Sequence, residues 1–166
     1  QDFINNINTW YDEYLKGNLD AILSNTSGCG TTMKDYGFIF RDDKKMKKKA
    51  KKISELTKDV SEYLSESLNL KFKNKEKKLR IAYHSACSMQ HGQKVHNQPI
   101  NLLAKTKNEI LEIPEGHICC GSAGTYNILQ SKIAKELLKN KVKNIESLEP
   151  QVISTGNIGC ITQIAN

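Results

Sequence analysis

The chain has 166 residues, 38% of them apolar and 26% charged, with a formal net charge of +7 at pH 7. This length and composition suffice for about one globular domain with a hydrophobic core, and they exclude a wholly disordered chain. No run approaches the roughly 18 consecutive apolar residues that a membrane span needs. The first residues follow a helical pattern and not that of a secretory signal, so we expect an internal part of a longer protein.

The positive charge comes almost entirely from lysine, since Arg41 and Arg80 are the two arginines. Arginine is the residue whose planar guanidinium best matches guanine and phosphate, so this composition does not favour a nucleic-acid partner. Seven of the nine residues in the segment 44–52 are lysine. Charge of this density resists burial, and we expect a solvated helix or linker that does not line a functional site.

The first half of the chain is predicted to be mainly helical, with one short strand. Apolar residues at helical spacing predict the helices, and runs of small residues predict the turns. In chain order the pattern predicts a helix at 3–15, a strand at 19–23, a turn at 24–30, a helix at 31–40, a long helix through the lysine segment and 53–70, and a charged connection at 71–78.

Strands and helices alternate in the second half. The pattern predicts strands at 79–83, 109–113 and 151–155, a helix near 99–104, and a helix at 126–148 that is interrupted near Gln130 and Ser131. This alternation is typical of an α/β fold with an open, mostly parallel sheet and flanking helices.

Cysteines follow the predicted strands at a regular position. Each lies a few residues beyond the carboxyl end of a strand, and those ends share one edge of a parallel sheet, where ligands bind. Several thiolates at one place suit an iron–sulfur cluster or zinc, although the spacing is that of neither a ferredoxin loop nor a zinc finger. Buried core cysteines remain an alternative, as does thiol–disulfide chemistry, which lacks a Cys-x-x-Cys here. The cysteines are Cys29, Cys87, Cys119, Cys120 and Cys160.

Three further residues are candidates for the surroundings of this site. His84 ends a predicted strand three residues before Cys87, where it could donate a hydrogen bond, act as a ligand, or be an ordinary polar turn residue. Gly121 lets the backbone approach a cluster, and Asn157 could donate its side-chain amide beside Cys160. Of the other histidines, one could line the same edge and two are expected at the surface: His91, and then His96 and His117.

Several strings resemble the cysteine-rich CCG domain, in the form found in iron–sulfur subunits of glycolate oxidase (glycolate dehydrogenase). They cover nearly the whole chain, and the string at 119–127 is highly specific. The strings are NTSGCG at 25–30, KDYG at 34–37, HGQ at 91–93, CCGSAGTYN at 119–127 and TGNIGC at 155–160. Gln163 and Thr32 stand where related repeats close with Cys-x-x-Cys, so the fifth ligand of a noncubane cluster is not expected.

The resemblance implies a Rossmann-like repeat architecture. Residues 1–41 would be the end of a first CCG repeat and 42–166 a second repeat, without its last strand and helix. Within the second repeat, 42–78 would be a lysine-rich helical lead-in and 79–166 the cysteine-bearing core. The metal ligands implied by the resemblance are Cys87, Cys119, Cys120 and Cys160, with Cys29 closing the first repeat, and His84, Gly121 and Asn157 would contact the cofactor.

The resemblance also implies a function, an electron-transfer subunit with an iron–sulfur cluster of the [4Fe-4S] type. Its partners would be FAD-binding glycolate oxidase subunits and a respiratory-chain acceptor, in the cytoplasm or at the inner face of the membrane. This chain would hold no complete active site, since FAD would lie on a partner subunit. The alternatives are an iron–sulfur subunit for lactate utilisation and a zinc-stabilised interaction domain.

Overall fold

The computed structural model describes residues 1–67, 70–72 and 78–165. Helices and short strands alternate along the chain, so the predicted α/β class is confirmed. The elements of the first half are α1 (Asp2–Leu15), β1 (Ile22–Ser24), α2 (Ser27–Lys34), α3 (Tyr36–Ile39), α4 (Lys47–Leu56), β2 (Thr57–Asp59) and α5 (Val60–Ser67). Those of the second half are β3 (Arg80–Tyr83), a π-helical turn (Ser88–Gln93), α6 (Asn97–Lys105), β4 (Glu109–Glu112), α7 (Tyr126–Leu129), α8 (Ser131–Glu146), β5 (Val152–Ser154) and α9 (Ile158–Ala165).

All the strand pairs in the described part of the chain are parallel. Strand β1 pairs with β2, and β3 lies between β4 and β5. The central strand carries the buried Ile81 and Ala82, whose side chains point to opposite faces of the sheet. The backbone N–H of His84 donates to Ser154 at 2.8 Å, which extends the pairing of β3 with β5 by one residue. The residues that follow β3 and β5 therefore begin side by side.

The first half has its own hydrophobic core, which is built by helices around β1. Ile7 of α1 and Ala50 and Ile53 of α4 are fully buried in it. The lysines of α4 stay exposed or half-buried, with Lys49 and Lys52 placed over the rings of Tyr11 and Tyr14 of α1. The expected solvated lysine helix is thus present, and it lies on the outside of this core.

A hydrogen-bonded seam joins the two halves. The Ser27 hydroxyl at the start of α2 lies 2.7 Å from that of Ser88 in the π-helical turn, and Gln93 donates from Nε2 to the Ser27 carbonyl at 2.9 Å. Asn157 donates from Nδ2 to the Ser27 hydroxyl at 3.0 Å. These bonds bring the start of α2, the end of β5 and the π-helical turn to one place.

Three local predictions differ from the structure. The long helix predicted through 53–70 is wrong at β2, where Thr57 is buried and donates to the Ile53 carbonyl at 2.8 Å, closing α4. Helix α2 begins at Ser27, inside the predicted turn, and α9 was not predicted.

Residues 68, 69 and 73–77, within the predicted long helix and the charged connection, lie outside the described residues. The interruption predicted at Gln130 is confirmed, since it separates α7 from α8.

None of the helices in the described ranges could cross a membrane. The longest of them, α8, has 16 residues, whereas a span needs about 20 that are mostly apolar.

Candidate metal centre

Four cysteine side chains meet at the carboxyl edge of the sheet β4–β3–β5. Cys87 lies between β3 and the π-helical turn, Cys119 and Cys120 lie in the loop between β4 and α7, and Cys160 is the third residue of α9. The buried side chains of Cys120 and Cys160 pack with Met89 in one apolar cluster, and Cys119 packs against it. The placement after strand ends, which the sequence predicted, therefore brings these thiols together.

The thiols form a continuous series of interactions. Cys119 interacts with Cys87 on one side and with Cys120 on the other, and Cys120 also interacts with Cys160. Cys120 is fully buried, Cys160 is 6% exposed, and Cys87 and Cys119 are half-buried. The site is therefore closed to solvent at Cys120 and Cys160 and more open at Cys87 and Cys119.

The direction of the pKa shift alternates along this series. Hydrogen bonds from Cys120 and Cys87 hold the pKa of Cys119 far below its ordinary value, and the Cys120 thiol lowers the pKa of Cys160 to about 5. The same contacts raise the pKa of Cys87 and of Cys120, with burial adding to both shifts. A bound cation would allow all four to ionise.

His84 completes the buried end of the site. Its imidazole is 1% exposed, and one ring nitrogen and the sulfurs of Cys120 and Cys160 all lie within 4.8 Å of one another. Among the described residues, neither ring nitrogen has a hydrogen-bond partner of normal geometry. Burying an imidazole without hydrogen-bond partners costs free energy. The polarisable groups nearest to this ring are the sulfurs of Cys120 and Cys160.

The backbone approaches the site closely at two glycines. Gly121 has a φ of +92°, and a Cβ there would lie 2.4 Å from the carbonyl oxygen of Ala134 in α8. A Cβ on Gly159 would lie 2.6 Å from the Ser122 hydroxyl, so α9 also packs directly on the cysteine loop. The N–H of Gly121 donates to Cys119 Sγ at 3.3 Å. Small residues therefore allow backbone amides to reach the sulfurs.

Asn157 fixes the start of α9 and does not itself contact a sulfur. Its Oδ1 accepts the N–H of Cys160 at 3.1 Å, which caps the helix, while its Nδ2 donates to Ser27 and Ser88 in the seam. The amide donation expected beside Cys160 thus goes to the two serines. The cap directs the helix N-terminus, which favours negative charge, at the Cys160 thiol.

The remaining candidates lie elsewhere. Cys29 is exposed on α2, and its assignment to a site of a first repeat stays a prediction. His91 is exposed, and His96 and His117 are exposed as expected.

The sequence did not reveal two features next to the thiols. One is a cavity of about 220 Å³ between the two sheets, lined by Met89, Thr155 and Tyr83, whose pKa burial raises to about 12. The other is Lys141 on α8, which is 2% exposed. No local signal separates Lys141 from the many other lysines of the chain.

The donor set fits an iron–sulfur cluster. It offers four soft sulfur donors, a buried imidazole whose nitrogens lack partners, and a backbone N–H that already donates to a sulfur. Soft thiolates select iron–sulfur clusters and zinc over hard cations such as magnesium. This chemistry agrees with the metal site that the placement of the cysteines after strand ends suggested.

The sequence that forms this site is similar to that of known proteins. The model of the family "CCG: Cysteine-rich domain" matches residues 81–165. The chain is 36% identical over 162 residues to the glycolate oxidase iron–sulfur subunit of Escherichia coli (strain K12), a match that covers 98% of the chain and 39% of that protein. It is 26% identical over 146 residues to lactate utilization protein A of Bacillus subtilis (strain 168), covering 87% of the chain and 61% of that protein.

A third relative is the probable glycolate oxidase iron–sulfur subunit of Bacillus subtilis (strain 168), with 29% identity over 151 residues that cover 88% of the chain and 33% of that protein. The chain thus spans less than two thirds of the length of each of these relatives. The family model covers more than half of the chain and includes all four clustered thiols. The chain belongs to the family of cysteine-rich CCG domains.

Proposed function

We propose that this chain is the cluster-binding part of an iron–sulfur electron-transfer subunit. The observation that carries the proposal is the meeting of four thiols from three separate segments of the chain, two of them within 4.8 Å of a ring nitrogen of a buried imidazole. Relatives that are named as iron–sulfur subunits support it.

Four residues would hold the cluster in this proposal, namely Cys87, Cys119, Cys120 and Cys160. A [4Fe-4S] cluster has four cysteine sites and supplies one-electron transfer. The role of the chain is to hold the thiolates at fixed positions, to exclude water at the closed end, and to direct hydrogen bonds at the sulfurs from Gly121 and His84. Asn157 would act through the cap on α9, which sets the position of Cys160.

The setting of the complete protein is part of the same proposal. We place it in a glycolate oxidase complex, where an FAD-binding partner subunit oxidises glycolate and the electrons pass through this subunit toward a respiratory-chain acceptor. The identity to the Escherichia coli subunit supports glycolate as the substrate of that complex. The proposed location is the cytoplasm or the inner face of the membrane, and the chain itself would carry no site for glycolate.

Two other functions have specific support. The similarity to lactate utilization protein A favours a lactate-oxidising complex as the second candidate. The group of His84, Cys120 and Cys160 within 4.8 Å would also suit zinc in an interaction domain. Visible absorption separates the metals because zinc sites are colourless, and electron transfer from glycolate compared with lactate separates the substrates.

The first test is the substitution Cys120→Ser in the complete protein, purified without oxygen. We expect the loss of one cluster, measured as iron and acid-labile sulfide, with nearly unchanged far-UV circular dichroism, because the sheet and its helices do not depend on this thiolate alone. The matched control is Ala86→Ser, which places a hydroxyl in the same apolar cluster and keeps every sulfur. A Cys120→Ser protein that keeps its full iron and sulfide would contradict the proposed ligand.

A further inference from the structure

Lys141 is a buried cation without a carboxylate partner. Its side chain is 2% exposed, and its Nζ donates to the backbone carbonyl of Glu115 at 3.0 Å. Within the described residues, no carboxylate oxygen lies at ion-pair distance from it. Lysine is almost never fully buried unless it is paired, because the loss of hydration costs several kcal/mol. Its burial therefore calls for a negative partner of another kind.

The helix face that carries Lys141 is turned toward the cysteine loop. Ala134, Lys141 and Ile145 are the buried residues of α8 and lie on one face of it, at intervals of seven and four residues. At the start of this face, Ala134 packs directly on Gly121, next to Cys120. Lys141 lies two turns further along, and it contacts the loop that leads from β4 to the cysteines.

Three of the four clustered cysteines interact electrostatically with this ammonium. Burial lowers the pKa of Lys141, and its interactions with Cys120, Cys87 and Cys119 partly offset this, ahead of Glu115. A cluster with four thiolate ligands would place its negative charge at the same position. Lys139, on the same helix, is exposed to solvent.

We infer that Lys141 is the counter-charge of the metal centre, a positioning residue that offsets the negative charge of the ligated cluster and raises its reduction potential. The inference rests on the proposed iron–sulfur function. When the cluster is reduced, one electron is added, no bond forms or breaks, and the site becomes one unit more negative. A fixed cation nearby stabilises the reduced form more than the oxidised form. The electron comes from the partner subunit that the proposed function already requires.

A purely structural role for Lys141 is the competing explanation, because the residue also helps to hold a strained loop. Glu115 has a φ of +52°, and Asn144 of α8 donates to the Pro114 carbonyl at 3.0 Å and to the Glu115 carboxylate at 3.1 Å. A clamp of this kind would depend on the hydrogen bond of Lys141 and not on its charge. A substitution that removes only the charge of Lys141 therefore has a different expected result in each role from one that also removes its hydrogen bond.

The test compares four variants of the complete protein, purified without oxygen: Lys141→Met, Lys141→Gln, Lys141→Arg and the exposed control Lys139→Met. The readouts are iron and sulfide content and the midpoint potential from a redox titration followed by optical or electron paramagnetic resonance spectra. We expect Lys141→Met and Lys141→Gln to keep the cluster and to shift its midpoint potential to more negative values. Lys141→Arg should restore most of the shift, and Lys139→Met should leave the potential unchanged.

An unchanged potential in both Lys141→Met and Lys141→Gln would overturn the inference while the proposed function stands. A shift in Lys141→Met alone would assign the effect to the hydrogen bond and overturn the counter-charge. If the unsubstituted protein holds no cluster at these four thiols, the proposed function itself fails.

Discussion

Gly121 shows how strongly the cysteine loop depends on a single backbone position. Its φ of +92° is unfavourable for any residue with a Cβ, and the carbonyl oxygen of Ala134 occupies the place where that Cβ would be. Gly124 also has a positive φ, of +65°, but has open space around it. A substitution at Gly124 therefore tests backbone strain alone, whereas one at Gly121 tests strain together with a steric clash.

We predict that Gly121→Ala lowers the free energy of unfolding by about 3 kcal/mol, since strain and overpacking add. Gly124→Ala should cost about 1 kcal/mol, from strain alone. Urea denaturation of both variants measures the difference. Equal losses in the two variants would mean that α8 moves freely away from the loop, and that the close packing of Gly121 on Ala134 does not constrain the site.

The residues of the site differ in how far the sequence could reveal them. The clustering of Cys87, Cys119, Cys120 and Cys160 follows from a rule of parallel sheets, in which the carboxyl ends of strands share an edge. His84 ends a predicted strand, but only the fold shows that its ring is buried beside the sulfurs of Cys120 and Cys160. Lys141 is one lysine among many, and only tertiary packing distinguishes it.

At the scale of elements, Asn157 links two functions of the loop before α9. Its side-chain oxygen Oδ1 accepts the N–H of Cys160 and so caps α9, and its side-chain Nδ2 donates to Ser27 and Ser88 across the seam between the halves. One side chain thus fixes both the helix that presents a thiol and the contact of that helix with α2.

We predict that Asn157→Ala lowers the free energy of unfolding by about 2 kcal/mol, from the lost cap and the lost seam hydrogen bonds. Asn157→Ser should recover about half of this loss, because serine also caps helices but is too short to reach both hydroxyls. The control is Asn101→Ala, an exposed position on α6, which should change stability by less than about 0.5 kcal/mol. If Asn157→Ala is as neutral as this control in urea denaturation, the seam does not contribute to stability.

The elements that could not be predicted are those whose hydrophobic pattern or helix propensity is ambiguous. Strand β2 replaces less than one helical turn, so the apolar spacing of Ile53, Leu56 and Val60 continues across it as if α4 and α5 were one helix. Helix α2 contains Gly28 and Gly30, which have poor helix propensity, and the packing of α2 on the π-helical turn overrides that preference. Long, clearly periodic elements such as α1 and α8 were predictable from their residues alone.

At the scale of the molecule, one unit of a strand, a short turn and a helix occurs twice. Strand β1 leads through a short turn into α2, and β5 leads in the same way into α9. Each helix has eight residues with a cysteine at its third position, Cys29 and Cys160, and a glycine before it. This likeness supports the proposal that 1–41 ends one CCG repeat and 42–166 forms another. The packing does not break at residue 42, however, since α4 packs on α1 and β2 pairs with β1.

The two cysteines should therefore serve two different metal sites of the complete protein. Cys160 is one of the four clustered thiols and is buried, whereas Cys29 is exposed at the matching place of the first unit. We predict that Cys29→Ser and Cys160→Ser each remove iron and sulfide, and that the double variant removes the sum of the two losses, because independent sites are additive. Anaerobic purification followed by iron and sulfide analysis measures all three. A Cys29→Ser protein with full iron content would show that the first unit holds no site at this cysteine. A double variant that loses no more than Cys160→Ser alone would show instead that both cysteines serve one shared centre.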